Sequence, residues 1–250
     1  SQVSCTAVPS GGGWRLSGQK TVVLDAPSAD YFLVSARSGA GTGGASAAGD
    51  ARAISVFLVR REAQGVSLFA YPTQSGGRAA DVHFNEVRLG ADALLGAPGG
   101  GLALIERAVD KGVAALCAEA VGIIAALNEA TLNYLKTRKQ FGVPIGKFQA
   151  LQHRMADMFI AAEQARSMAI LAAVYADSDD AAERRRSVSA AKTYIGQAAR
   201  LVGQEAVQLH GAMGVVDEVI VSHYFKRLTM IELTLGDTDF HLERFSSTPG

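Results

Sequence analysis

Apolar residues in the first hundred positions come in short runs rich in β-branched and aromatic side chains, cut by turn clusters. The runs Trp14-Arg15-Leu16, Thr21-Val22-Val23-Leu24, Tyr31-Phe32-Leu33-Val34, Ile54 to Val59, Val66-Ser67-Leu68 and Val82-His83-Phe84 predict antiparallel strands. Ser38 to Asp50 is almost all Gly, Ala and Ser, too poor in apolar surface to order itself, and predicts a mobile loop. The period changes at Gly99-Gly100-Gly101. From there Leu102, Ile105, Val109, Val113, Leu116, Ala120, Ile124, Leu127, Thr131 and Leu135 recur at steps of three and four, one stripe of a long helix reaching about Lys136. An alanine-rich helix is expected from about Gln149 to Ala176, with Asp177-Ser178-Asp179-Asp180 as the break. Val188, Ala191, Ile195, Ala198, Val202, Ala206 and Leu209 mark a third stripe stopped by Gly211, and a fourth helix is expected over Glu218 to Thr234. The pattern predicts a multidomain α and β chain: a small antiparallel β domain over 1–97, then an antiparallel four-helix bundle over 98–250.

Composition narrows the function classes. With 48% hydrophobic and 19% charged residues the 250-residue chain reads as globular. Lys+Arg and Asp+Glu balance at 24 each, so no net field favours nucleic acid or an anionic surface. No run of about 18 apolar residues is free of charge, and Ser1-Gln2-Val3-Ser4 lacks the basic head of a signal peptide. A cytoplasmic location without membrane insertion is the expectation. Cys5 and Cys117 match no metal-ligand spacing, and Cys117 sits in an apolar helix as a small hydrophobe.

Two motifs carry chemistry. The first is Arg138-Lys139-Gln140-Phe141-Gly142-Val143-Pro144-Ile145-Gly146, followed by Phe148-Gln149-Ala150-Leu151-Gln152; the second is Gln208-Leu209-His210-Gly211-Ala212-Met213-Gly214. A guanidinium pairs bidentately with pyrophosphate, and a glycine turn lets backbone N–H groups approach it closely. Together these motifs resemble the flavin-binding signature of the acyl-CoA dehydrogenases. The resemblance implies that Arg138, Gln140 and Phe141, with Gln208, Gly211, Ala212 and Gly214, hold the ADP half of FAD across a subunit interface. Leu16-Ser17-Gly18-Gln19-Lys20 resembles the start of that family's middle domain, and Ala80 to Val87 through Leu95-Gly96 its end. Residues 1–250 thus look like the last two of the family's three domains, without the N-terminal α domain, as in a fragment or a shortened subunit.

The departures from the family matter as much. Its reaction removes a proton α to a CoA thioester while hydride passes from the β carbon to the flavin, and a carboxylate is the base. One family position for that Glu corresponds here to Leu235, ahead of Gly236-Asp237, and the alternative position corresponds to Gly112. Where the family places an aromatic and a hydroxyl against the flavin ring, this strand has Val22 and Leu24, and the family's Thr after the base glycine is Asp237. Glu119, among Leu116, Cys117 and Ile123, is the one remaining candidate base; pairing with a bundle Arg is the competing reading.

Other charges have plainer readings. Glu106, Arg107, Asp110 and Lys111 are expected on the surface, Arg184-Arg185-Arg186 on a solvated helix face, and His210 in packing or a backbone hydrogen bond. His223-Tyr224-Phe225-Lys226-Arg227 is expected to pack subunits. The expected function is that of an acyl-CoA dehydrogenase-like subunit using FAD on an acyl-CoA. Its partner is a second copy or a second dehydrogenase subunit, as in two-subunit bacterial enzymes of the pimeloyl-CoA type, and the electron acceptor is left open. The chain alone is expected to be colourless and inactive. The alternatives are a structural partner that has lost the flavin, and an oxidase on the same fold.

Overall fold

The change of hydrophobic period predicts a β unit followed by an α unit, and the computed structural model, which describes residues 3–38 and 53–248, has that order. Residues 39–50 of the Gly, Ala and Ser stretch lie outside the described residues. Two compact units divide after Glu106. The division falls inside the first helix because its start belongs with the sheet: a Cβ on Gly101 would lie 2.9 Å from the Ile54 carbonyl oxygen, and Gly99 N–H donates to Ser55 Oγ at 2.8 Å.

The first unit is a seven-stranded sheet of β1 (Thr6–Ser10), β2 (Gly13–Leu24), β3 (Tyr31–Ser38), β4 (Ile54–Arg60), β5 (Val66–Pro72), β6 (Arg78–Leu89) and β7 (Leu94–Leu95). Its order is β5-β6-β2-β1-β3-β4-β7. The sheet is mixed, which corrects the antiparallel expectation: β1 runs parallel to β3, pairing Thr6 with Arg37 and Ala7 with Ser38. Two runs read as separate strands are one strand, β2, whose register against β6 shifts between Leu16 and Gly18 and again between Lys20 and Val23. Alternation buries Leu16, Phe32, Val34, Phe57, Val59, Val82, Phe84 and Val87 on one face, with Trp14 edge-on to Phe57 at 5.3 Å.

The second unit comprises α1 (Gly101–Thr137, whose first residues lie in the first unit), α2 (Gln149–Tyr175), α3 (Ala181–His210), α4 (Ile220–Leu233) and a nine-residue α5 (Thr238–Ser246) that sequence periodicity did not reveal. A short hairpin of β8 (Lys139–Gln140) and β9 (Val143–Pro144) joins α1 to α2. The third stripe is buried throughout: Val188, Ala191, Ile195, Ala198, Val202, Ala206 and Leu209 all face the core. Asp180 starts α3 as its N-cap, its carboxylate accepting from Ala182 N at 2.9 Å and Glu183 N at 3.1 Å. α1 is long and apolar enough by length and composition to cross a membrane. Its stripe from Val113 through Cys117, Ala120, Ile124 and Leu127 to Leu135 is nevertheless packed in the core of this unit.

Candidate flavin and substrate site

The first motif begins where α1 ends. Arg138 N–H still donates to Tyr134 O at 2.8 Å, and its carbonyl accepts from Ile145 N at 2.8 Å, so the residue leaves the helix and closes the hairpin. Phe141-Gly142 is a two-residue turn between the paired Gln140 and Val143, with φ +53° and +80°. Positive φ at both central residues is the I′ geometry that suits tight hairpins, and a Phe there carries backbone strain of about 1–3 kcal/mol. The ring is 90% exposed and stands edge-on to Phe148 at 6.1 Å. Gln140 and Arg138 are exposed too, and among the described residues the Arg138 guanidinium has no ion-pair or hydrogen-bond partner.

The second motif ends α3. Gly211 caps the helix with φ +61°, its N–H donating to Gln208 O, and a Cβ there would meet no atom within 4 Å, an open backbone approach. Gly214 is needed for the opposite reason: a Cβ would lie 2.7 Å from the Val207 carbonyl oxygen. Gln208 and Ala212 are exposed beside this turn. His210 packs and bonds backbone: its Nδ1 meets Ala206 O at 2.8 Å and its ring stacks on Tyr134 at 4.4 Å. That stack ties the two motifs to one end of the bundle, because Tyr134 is the hydrogen-bond partner of Arg138 and His210 precedes Gly211.

The base positions tell a different story. A Cβ at Gly112 would lie 2.8 Å from Leu235 Cδ1, so the two positions that the resemblance points to for the base face each other, filled by one aliphatic side chain. Leu235 itself has φ +59°. Non-glycine residues hold this conformation only where the surroundings impose it, and here they do. Lys192, 2% exposed, donates from Nζ to the carbonyls of Ile231 (2.8 Å), Glu232 (2.9 Å), Thr234 (3.1 Å) and Gly236 (2.9 Å). It thereby caps the orphan carbonyls and negative dipole end of α4. Burial lowers the Lys192 pKa, with Cys117, Glu232 and Asp237 opposing.

A second arm holds the same loop. Arg244 donates to Ser189 Oγ at 3.0 Å, Ser189 Oγ lies 3.3 Å from His241 Nδ1, and His241 Nε2 lies 3.1 Å from Leu235 O. A carbonyl only accepts, so Nε2 carries the proton in this contact. Burial, with Lys192 and Arg244 nearby, lowers its pKa to about 4. Behind it Asp110, 1% exposed, accepts from Arg184 Nε at 3.0 Å and lies 2.7 Å from Arg244 Nη2, the latter an ion pair rather than an aligned hydrogen bond. Asp110 and Arg184 are therefore buried, which corrects their reading as surface charges. Asp237, where the family has Thr, caps α5 by accepting from Phe240 N at 2.8 Å.

Glu119 is not in an apolar pocket. It is about 40% exposed and clamped bidentately by Arg227, at 2.6 and 2.8 Å, a structural ion pair. The other members of the His223–Arg227 group also have partners within the chain: His223 and Lys226 reach Asp217 at 2.7 and 2.8 Å. In the sheet, Val22 occupies the bulge with φ +52°, 60% exposed, its N–H taken by Asp81 Oδ1 at 3.0 Å. Tyr71 donates to the same oxygen at 2.9 Å, and these two hydrogen bonds hold the Asp81 pKa below its usual value. Leu24 is 44% exposed and offers no donor. Cys117 is inert, its thiol pushed up to about 12 by burial. Among the described residues no group of three His, Cys, Asp or Glu could hold a metal ion.

The residues fit the ADP half of an FAD and not its ring. An unpaired guanidinium, an exposed aromatic and an open glycine turn share one end of the bundle, while Val22 and Leu24 present neither a stacking face nor a hydroxyl.

Comparison with known proteins identifies the family. The short-chain specific acyl-CoA dehydrogenase of Bos taurus mitochondria is 30% identical over 237 residues, 94% of this chain and 55% of the relative. A glutaryl-coenzyme A dehydrogenase solved as a glutaryl-CoA complex superposes with TM-score 0.85 at 26% identity, covering 98% of this chain and 60% of that one. A variant of the Tcur3481-Tcur3483 steroid ACAD superposes with TM-score 0.83 at 31% identity, over 99% of this chain and 62% of that one. The chain thus spans little more than half the length of the curated relative. The acyl-CoA dehydrogenase middle domain matches residues 1–89 and the C-terminal domain residues 99–247, and the chain belongs to the acyl-CoA dehydrogenase family.

Proposed function

We propose that this chain is the phosphate-gripping, base-lacking subunit of a two-chain acyl-CoA dehydrogenase, acting on a CoA thioester with FAD. The observation that carries the reading is the contact of Leu235 with the space at Gly112, because it fills both base positions with hydrocarbon while Arg138 and Gln208 stay exposed. When bound, FAD supplies the acceptor for the electrons that leave the acyl chain. Arg138 would pair with the pyrophosphate, Gly211 would let backbone N–H groups approach it, and Phe141 would stand beside the ADP half. Neither Leu235 nor Gly112 can take the α proton, so a partner chain supplies the carboxylate and the ring contacts. The steroid relative, itself named as a pair, supports a two-chain arrangement.

The test is co-expression with a second dehydrogenase chain. The 250-residue chain alone purifies colourless, and the pair purifies yellow and reduces an artificial acceptor. Stoichiometric FAD on the isolated chain, together with acyl-CoA turnover, would overturn the proposal. A purely structural partner is the second reading, and the unpaired guanidinium speaks against it: Arg138→Ala lowers the FAD content of the pair only if this chain grips the cofactor.

A further inference from the structure

The stretch from Ala130 to Ala156 carries Lys136, Arg138, Lys139, Lys147 and Arg154 and no carboxylate, in a chain whose charges balance overall. It runs through the end of α1, the hairpin and the start of α2. Arg154 is matched by Glu205 at 2.9 Å. The other cations give this end of the bundle a local positive field, which favours anions.

Under that field the fold builds a cleft of about 610 Å³, within the ~300–1,000 Å³ of small-molecule sites. Leu132 and Leu135 of α1, Pro144 of the hairpin, and Met155, Ala156 and Phe159 of α2 line it. Its floor depends on Gly146: a Cβ there would lie 3.0 Å from the Leu135 carbonyl oxygen, so a side chain would crowd α1 where glycine passes freely. The one side-chain amide in the wall is already committed, Gln152 Nε2 donating to Gly146 O at 2.9 Å. The wall therefore offers hydrocarbon.

Lys136 and Lys147 also border the cleft, and neither has an ion-pair or hydrogen-bond partner among the described residues. Long cationic side chains lay their stems on apolar surface and keep the ammonium at the water boundary. No Asp or Glu lines the cleft. A nucleotide or a sugar would find no free side-chain donor or acceptor along the wall, whereas an alkyl chain needs none. The two ammonium groups at the edge then select a negative head.

We infer that this cleft binds an alkyl carboxylate, with the chain against Leu132, Met155 and Phe159 and the carboxylate at Lys136 and Lys147. Arg138, Phe141, Gln208 and Gly211 take no part in the lining, so the site is separate from the flavin grip and the two readings fail separately.

Isothermal titration calorimetry of the full chain with dodecanoate, at neutral pH and below micelle-forming concentrations, should show saturable binding of one molecule per chain. Lys136→Gln combined with Lys147→Gln should weaken it at least tenfold. Ala156→Glu, which sets a carboxylate in the apolar wall, should do the same. None of the three positions is buried, so the variants keep the fold, which far-ultraviolet circular dichroism checks. Dodecyltrimethylammonium, with the same chain and the opposite charge, should bind at least tenfold more weakly than dodecanoate. A chain that takes up no dodecanoate overturns the inference, whatever then covers the cleft. Uptake that the variants leave unchanged, or that the cationic amphiphile matches, overturns it too, because such binding is not made by this site.

Discussion

The two ends of the second unit make an instructive contrast. At the Arg138 end lie the motif residues that resemble the family's FAD-binding signature, and they are loosely held: Arg138, Gln140, Phe141 and Gln208 are exposed, and Phe141 stands on a two-residue turn. At the Leu235 end the position that by resemblance would carry the base is aliphatic, and the loop that presents it is firmly anchored. Four carbonyls converge on Lys192, and His241 adds a hydrogen bond to Leu235 itself. Loop shape and loop chemistry are therefore separable. The left-handed turn at Leu235 is imposed by buried groups on α3 and α5, none of which takes part in proton transfer, so the side chain it presents can change from acid to aliphatic without the fold responding.

The sharpest way to break that contrast is to remove the anchor. Lys192→Met keeps the length of the side chain and deletes the charge, leaving four carbonyls around an apolar tip. The expected loss is about 3–5 kcal/mol of unfolding free energy, the scale of leaving buried polar groups unpaired. Chemical denaturation of the variant checks it. A loss below about 1 kcal/mol would mean that water serves the carbonyls as well as the ammonium does, and that the loop is held elsewhere.

The other end is probed by Arg138→Ala in the reconstituted two-chain assembly. FAD affinity should fall by about 2–4 kcal/mol, the cost of removing one member of a charge-assisted pair. Stability should stay within about 0.5 kcal/mol of wild type, because the side chain is exposed and, among the described residues, has no hydrogen-bond or ion-pair partner to lose. An unchanged FAD dissociation constant removes Arg138 from the site, and a large fall in stability removes the contrast.

Much of this was legible in the chain. The stripe from Val188 to Leu209 has one period and no competing signal, and Asp180 is a capping residue before it. The motif residues are local, so Arg138, Gln140, Phe141, Gln208 and Gly211 could be assigned one by one to the ends of α1 and α3. What stayed hidden depends on distance along the chain. Asp110 meets Arg184, 74 positions away, and also Arg244, and in sequence each looks like an ordinary surface charge. One signal was available: Arg184 and Lys192 stand four residues before and after Val188, on its buried face, and a cation in an apolar stripe needs buried acceptors. β1 escaped because five residues containing Pro9 carry no period, and its parallel pairing with β3 is a matter of topology.

The neutral His241 makes the anchored end sensitive to acid. Its pKa in the folded chain is lowered to about 4 from an ordinary 6.5. The unfolded chain therefore binds the extra proton first. Stability from this group is fully present above pH 6.5 and falls as pH drops through the window from 6.5 to about 4, by about 3 kcal/mol over the full span. The sign is fixed by the direction of the shift: a depressed histidine favours folding at high pH. His241→Gln, which retains a donor for Leu235 O, should flatten that part of the stability profile. An unchanged slope between pH 6.5 and 4 would assign the acid sensitivity to carboxylates instead.

The smallest effect expected decides where the base is. Glu119 is the only carboxylate in the chain singled out for that role, and its bidentate clamp to Arg227 at 2.6 and 2.8 Å leaves neither oxygen free. Both partners are about 40% exposed, so the pair is screened and contributes at most about 1 kcal/mol. Glu119→Gln in the active assembly should lower stability by less than that and change turnover with an artificial acceptor by less than twofold, with FAD retained. A general base contributes about two to four orders of magnitude. A loss of several hundredfold at full FAD occupancy would therefore place the proton acceptor on this chain after all, and the end that looks emptied of chemistry would have moved its base to α1.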